Sequence, residues 1–433
     1  MEGRAGRRED ESTTSTNRAR RHPTHSLRIA LLAYRGNPHS GGQGVYVRHL
    51  SRALVDLGHQ VEVLAGQPYP ELDSGVRLTT LPSLDLYRPE LPFTRARPIG
   101  NAIDLLEFSM MCVAGFPEPL TFSLRAWREL ARRHGEFDVV HDNQCLGYGL
   151  LGIRRLGLPE LATIHHPVRV DRALELQHAG WQRRIAIRRW YAFTRMQARV
   201  ARRLDRLLTV SAAAAAEIER EMGVRSERLA VVPNGVNTEL FKPLPHRART
   251  PGLLLATASA DVPLKGLVPL LEALARLRVN RPAELVIVGR PQPNGSVAAA
   301  IDRLQLEGAV RFVSAIPETG LVELYARAEV AVVPSLYEGF SLPAVEAMAC
   351  AVPLVATTAG GLPEVVGPDG EAGLLVPPGD SAALAAALGR ALEDAGLRRR
   401  LGERGRARAL TCFSWRRAAE ATVEQYRMVI AGC

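Results

Sequence analysis

Two doubly wound α/β domains facing each other across a cleft are what this sequence predicts, on three observations. Past the first 26 residues, short apolar runs alternate with helix-length amphipathic segments, the pattern of a parallel sheet covered by helices on both faces. The alternation occurs twice, and between the two series a Pro-Asn-Gly turn and a stretch containing Pro, His and Arg, from Pro233 to Pro251, interrupt it. With 433 residues, 46% of them hydrophobic and 23% charged, the chain can bury two ordinary cores.

In chain order, residues 1–26 are rich in Arg, Glu, Ser and Thr without apolar period. Such a segment cannot bury enough surface to offset the entropy of ordering, so a disordered basic tail is expected. Strands of the first domain, residues 27–240, are expected at 27–34, 60–64, 76–81, 137–141, 161–165 and 206–210. Those of the second, residues 251–412, are expected at 252–258, 284–289, 310–314, 329–333, 353–357 and 374–377. A last helix over about 413–433 is expected to pack back on the first domain. Doubly wound sheets bind ligands outside the carboxyl ends of their strands, so two of them face to face make a cleft between domains.

Composition narrows the classes. No stretch approaches the roughly 18 apolar residues of a membrane span, and the first residues lack the apolar core of a secretory signal, so the expected location is cytoplasmic. Cys112, Cys145, Cys350, Cys412 and Cys433 form no C-x-x-C pair and are odd in number; reduced, mostly buried thiols are expected. The net charge of +10, carried almost wholly by Arg, favours anionic partners, and it is equally what an Arg-rich surface composition gives. Nucleic acid is not expected, because no recognition motif accompanies the charge.

The most informative segment runs from Pro334 to Glu346. It leaves a buried strand, passes through Gly339 and opens a helix with Pro343 where a missing N–H is harmless. The N–H groups of Phe340, Ser341 and Leu342 then lie at a helix N-terminus, an anion site that suits a diphosphate. Glu338 stands just before the turn and Glu346 one to two helical turns beyond it. Carboxylates beside a phosphate site pair with hydroxyl groups of a sugar or ribose. Lys265, in Pro263-Leu264-Lys265-Gly266 after the second domain's first strand, is a point charge that reaches a pyrophosphate and offsets charge developing on a leaving group.

In these segments the chain resembles the retaining family 4 glycosyltransferases of GT-B fold, whose E-x7-E signature is matched by Glu338 and Glu346. The resemblance continues through the N-terminal glycine loop, Val232-Pro233-Asn234-Gly235-Val236, the Lys265-Gly266 pair and Ala359-Gly360-Gly361-Leu362-Pro363-Glu364. It implies transfer of a hexosyl group from a nucleotide-diphosphate sugar to an acceptor hydroxyl with retention of configuration, without metal or other cofactor. The first domain would bind acceptor and the second donor, with Glu338 on the transferred sugar, Glu346 on the ribose and the backbone after Gly339 on the phosphates. The family usually carries Arg five positions before Lys265, where this chain has Ala260, and Arg290 is the expected substitute. Ile316 marks where backbone would meet the nucleotide base.

Other candidates lie at strand ends. Ser40-Gly41-Gly42-Gln43-Gly44 follows the first strand and precedes a helix expected at 45–57. It is no dinucleotide fingerprint, since Val47 takes the third glycine's place. What it offers is close backbone approach of Gly41, Gly42 and Gly44 to donor phosphates and acceptor, as the resemblance implies. The resemblance implies His165 near the reacting sugar, and His141 and His166, also at strand ends, are candidates on the acceptor side. No D-x-D or H-E-x-x-H motif occurs, so no metal site is expected.

Residues 181–206 read as one long helix, with Arg184, Arg188, Arg195, Arg199, Arg202 and Arg206 on one stripe and Ala186, Trp190, Phe193, Val200 and Leu204 opposite. That Arg face is either a solvated surface or a contact for anionic lipid at the inner membrane face, which would suit a lipid-linked or anionic acceptor. Two alternatives to a transferase stay open: a non-catalytic nucleotide-sugar-binding protein, and another enzyme of this architecture such as an epimerase.

Overall fold

The computed structural model describes residues 26–36, 42–86, 98–113, 115–166, 180–258, 262–292 and 295–432. Residues 1–25, Gly41, Ala260 and Cys433 lie outside them, and so do the expectations attached to those positions.

Two all-parallel sheets form. The first contains β1 (Arg28–Ala33), β2 (Gln60–Ala65), β3 (Arg77–Thr80), β4 (Val139–Asn143), β5 (Glu160–Ile164), β6 (Leu207–Thr209) and β7 (Leu229–Val231), in the order β3-β2-β1-β4-β5-β6-β7. The second contains β8 (Leu253–Thr257), β9 (Glu284–Val288), β10 (Val310–Val313), β11 (Val330–Val333), β12 (Leu354–Thr357) and β13 (Leu374–Val376), in the order β10-β9-β8-β11-β12-β13. Central strands β1 from Ile29 onward and β11 are buried on both faces, which is why they read as unbroken apolar runs, whereas β4 is equally buried but ends in His141, Asp142 and Asn143. Strand order reverses between β1 and β4 and between β8 and β11, the switch points where such sheets open a crevice.

Three readings need correction. Strand β7 was not expected: its run Leu229-Ala230-Val231 is only three residues long and lies half-buried or exposed at the sheet edge. Residues 181–206 are not one helix. The chain forms Trp181–Trp190 and Phe193–Ala201, broken at Tyr191, whose buried ring packs against Phe193. Ala186, expected on the core side, is exposed, and Ile187 is buried instead. Arg184, Arg188, Arg195, Arg199 and Arg202 are exposed, but Arg206 is half-buried and donates from Nε to Gln425 Oε1 at 2.7 Å, so the stripe is not continuous. Helix Gln43–Asp56 starts two residues early, which puts Gly44 inside its first turn rather than in the loop.

The C-terminal helix Trp415–Ala431 places Trp415, Ala418, Ala419, Val423, Tyr426 and Val429 in one core with Ile29, Leu31 and Val63 of the first sheet and Leu50 of helix Gln43–Asp56. The returning chain meets the outgoing one at Val236, whose N–H donates to Phe413 O at 2.9 Å. A Cβ on Gly235 would lie 2.2 Å from Trp415 N, so only glycine admits this crossing. Of the four described cysteines, all unpaired, Cys145 and Cys350 are buried while Cys112 and Cys412 are exposed. Among the described residues no helix is long and apolar enough to cross a membrane.

Candidate functional site

The carboxyl ends of β8 and β11 bring Lys265 and Glu338 together. Leu336 N–H donates to Leu264 O at 2.7 Å, and Gly266 turns with φ 65°, where a Cβ would sit 1.9 Å from Pro334 O. Only glycine allows these two loops to touch. The side chains then converge: Lys265 Nζ stands 2.8 Å from Glu338 Oε1, and Ser335 Oγ donates to the same oxygen at 2.9 Å. One carboxylate oxygen is thus spoken for by a cation and a hydroxyl.

Two further glycines press the backbone against this turn. A Cβ on Gly360, which has φ 55°, would lie 2.0 Å from Glu338 O, and one on Gly361 would lie 2.4 Å from Gly339 O. Gly361 N–H donates to Glu338 O at 2.8 Å. Gly339 itself abuts the first domain, its added Cβ falling 2.5 Å from the His165 carbonyl oxygen. Ser341 takes φ 82° before the helix Leu342–Ala349, and its buried hydroxyl has no partner among the described residues. That helix has Pro343 in its first turn, as expected. Its first N–H groups have no carbonyl one turn back to bond. Phe340 offers only backbone here, since its ring is buried edge-on to Phe413.

Glu346 lies one face deeper. Its Oε2 is 3.2 Å from the Tyr325 hydroxyl, and burial pushes its carboxyl up to about 7. It lines a cleft of about 240 Å3, counting the open mouth, between the domains, with Val45 and His49 on one wall and Glu318 and Leu342 on the other. Glu318 is held ionised by its neighbours His49 and Arg48 across that gap.

On the first domain His165 follows β5 directly. Its Nε2 bonds Asn143 Oδ1 at 2.8 Å, its N–H donates to Gln144 Oε1 at 2.7 Å, and the Tyr46 ring meets it edge-on at 4.6 Å. Burial lowers its pKa to about 3, so the imidazole is neutral with the proton on Nε2. His141 is not at the cleft. β4 runs two residues past it to Asn143, and the ring is fully buried between the Tyr426 hydroxyl and Thr163 Oγ1, each 2.7 Å away. His166 receives Gln144 Nε2 on its carbonyl at 3.0 Å, and its half-buried ring lies 6.3 Å from that of Tyr337. Gly42 is exposed before helix Gln43–Asp56, Arg290 is exposed just beyond β9, and Ile316 is half-buried ahead of helix Glu318–Arg327. Among the described residues no three His, Cys, Asp or Glu cluster as metal ligands.

Sequence reasoning missed a set of contacts between the domains. Ser211 Oγ donates to Gly339 O at 2.6 Å, the Glu364 carboxylate accepts from Ala212 and Ala213 N–H at 2.8 Å each, and the Tyr337 hydroxyl donates to Glu217. A serine before an alanine run signals a helix cap, but nothing in the sequence says which distant backbone it also reaches.

Comparison with known proteins fits this geometry. Residues 40–240 match the family model described as Glycosyltransferase Family 4, and residues 245–408 match Glycosyl transferases group 1. The chain is 56% identical over 408 residues to the MMP alpha-(1->4)-mannosyltransferase of Mycolicibacterium hassiacum, covering 94% of this chain and 99% of that one. It is 31% identical to the glycogen synthase of Mycobacterium tuberculosis, over 92% of this chain and 94% of that one. Among solved structures, sucrose-phosphate synthase from Thermosynechococcus elongatus superposes with a TM-score of 0.72 at 26% identity, covering 94% of this chain and all of that one.

Proposed function

This chain belongs to the family 4 glycosyltransferases of GT-B fold, and from that premise we propose that it transfers an α-mannosyl group from a nucleotide-diphosphate sugar to a hydroxyl of a glycan acceptor. The product carries an α-(1→4) bond, formed with retention and without metal. The observation that carries the sugar and linkage is the 56% identity to a mannosyltransferase along almost its full length.

The site geometry supports the chemistry. The C1–O bond to the leaving diphosphate breaks as the acceptor oxygen bonds C1 on the same face. The departing phosphate oxygen takes the acceptor proton. Lys265 then shifts from Glu338 toward the diphosphate, because a dianion offers more than the single carboxylate oxygen it holds at 2.8 Å. The helix N-terminus at Ser341 adds its dipole to the same charge. Glu338, freed of the ammonium but still bonded by Ser335, receives hydroxyl groups of the transferred mannose. Glu346 receives the ribose hydroxyls, and Arg290 supplies the second phosphate cation. His165, neutral and fixed through Nε2, presents Nδ1 as an acceptor and puts no charge beside the sugar.

The test is incubation of the purified protein with UDP-, GDP-, ADP- and dTDP-linked sugars and a short α-(1→4)-linked mannoside, in EDTA, with products read by mass and proton NMR. One added α-linked mannosyl unit is the expected result. No extension with any mannosyl donor overturns the sugar assignment, a β-linked product overturns retention, and activity lost in EDTA overturns metal independence.

A further inference from the structure

The contacts between the domains form a closed loop around Glu338. Helix Ala212–Met222 of the first domain begins at Ser211, whose single hydroxyl accepts from Ala214 N–H at 3.0 Å and donates to Gly339 O at 2.6 Å. The next two N–H groups of that helix, from Ala212 and Ala213, lack carbonyl partners within it. Both are taken at 2.8 Å by the two oxygens of Glu364, a residue of the second domain. Glu364 sits on the short helix Leu362–Val366, which starts next to Gly361, and Gly361 N–H holds Glu338 O at 2.8 Å. The first domain therefore grips the donor turn at both ends of two consecutive residues, through Gly339 by way of Ser211 and through Glu338 by way of Glu364.

Two features separate this from a structural cap. Glu364 is exposed, so water competes for its bonds and their loss costs little in folding. Its bonds also join parts of the chain 151 and 152 residues apart that belong to different sheets, so they exist only while the domains are together. A carboxylate at a helix N-terminus gains from the dipole as well as from the two hydrogen bonds, which makes the contact specific in angle as well as distance.

We propose that Glu364 and Ser211 are positioning residues for transfer: they form a releasable latch that aligns the Glu338 turn with the first domain's acceptor face each time the cleft closes. This rests on the transferase reading above. Because Lys265, Glu346 and the helix after Ser341 all lie on the second domain, donor binding does not need the latch. The alignment of sugar and acceptor does.

Two variants weaken the latch from opposite sides. Glu364→Gln keeps the shape and removes the charge. Ala212→Pro removes one donated N–H at the first helical position, where proline is favoured, and Ser211 already has φ −158° and ψ 162°, the extended backbone a residue before proline adopts. Both are expected to lower kcat about tenfold with donor Kd and melting temperature unchanged, a split that a folding defect does not give. Unchanged kcat in either variant, or donor Kd weakening in step with kcat, overturns the proposal. Should the wild-type protein transfer no sugar, the functional reading fails separately, and hydrogen exchange of residues 338–342 decides the latch. Faster exchange in both variants sustains the coupling, and equal exchange ends it.

Discussion

Replacing Gly339 with alanine tests the meeting of the two domains at a single atom. The added Cβ would stand 2.5 Å from the His165 carbonyl oxygen, with Val210 Cγ2 at 3.6 Å behind it. Relief to an ordinary carbon–oxygen contact of about 3.2 Å requires about 0.7 Å of separation, and overpacking of this kind costs about 1–3 kcal/mol in a core that cannot move. Here the clash lies between domains joined by a hinge, so the easier response is for the cleft to open. Opening by that amount stretches the 2.6 Å Ser211–Gly339 bond past useful length. The Glu338 turn then moves relative to the first domain by most of an ångström, and misplacement on that scale costs up to about 100-fold in rate. The expected result of steady-state kinetics with calorimetry is kcat lowered 10- to 100-fold, roughly, with melting temperature almost unchanged. A variant with wild-type kcat would show that His165 and Gly339 do not meet during turnover. A large drop in melting temperature would show that the interface is rigid core.

Other perturbations address separate groups. Lys265→Ala removes the only cation bonded to Glu338 among the described residues, and kcat/KM should fall about 100- to 1,000-fold while stability, resting little on a part-exposed ion pair, holds; a loss under tenfold would show that another cation carries the leaving group. Donor affinity by calorimetry should rise between pH 6 and pH 8, because burial raises the Glu346 carboxyl to about 7 and the ionised form is the one proposed to accept the ribose hydroxyls. Glu346→Gln should flatten that profile, and a profile identical to wild type would remove Glu346 from the donor site. Glu160, whose oxygens are buried without hydrogen-bond partners among the described residues, has its carboxyl raised to about 8 by burial. A raised carboxyl stabilises the fold below its unfolded pKa of about 4.5 and loses that contribution as pH climbs through 8, at most about 5 kcal/mol. Glu160→Gln, which does not titrate, should gain on wild type in urea melts between pH 5 and pH 9, and a gap independent of pH would refute this.

Twelve of the thirteen strands were legible: those covered on both faces, such as β8, β11 and β12, need apolar runs, and the edge strands β3 and β10 were placed by the regular alternation with helices. Lys265 and Glu338 were each legible as candidates just after a strand, but their pairing at 2.8 Å was not, because it depends on β8 and β11 being neighbours. What the sequence hid has two causes. Strand ends are uncertain by a residue or two, and β4 running on to Asn143 was enough to move His141 from the cleft into the core beside Tyr426. Partners remote in sequence leave no local signal: Arg206 finds Gln425, and Glu364 finds backbone N–H groups whose side chains are only alanine.

Where the chain crosses itself at Gly235 and Trp415, the second domain leaves and re-enters the first by one doorway two strands wide. A single tether would let that domain swing in any direction, whereas a double one at a single doorway confines the swing to one pivot, the hinge about which the cleft opens. The same crossing decides what a truncation would destroy. A chain stopped at Cys412 would keep the second sheet intact and strip the other domain of Tyr426, whose hydroxyl bonds His141.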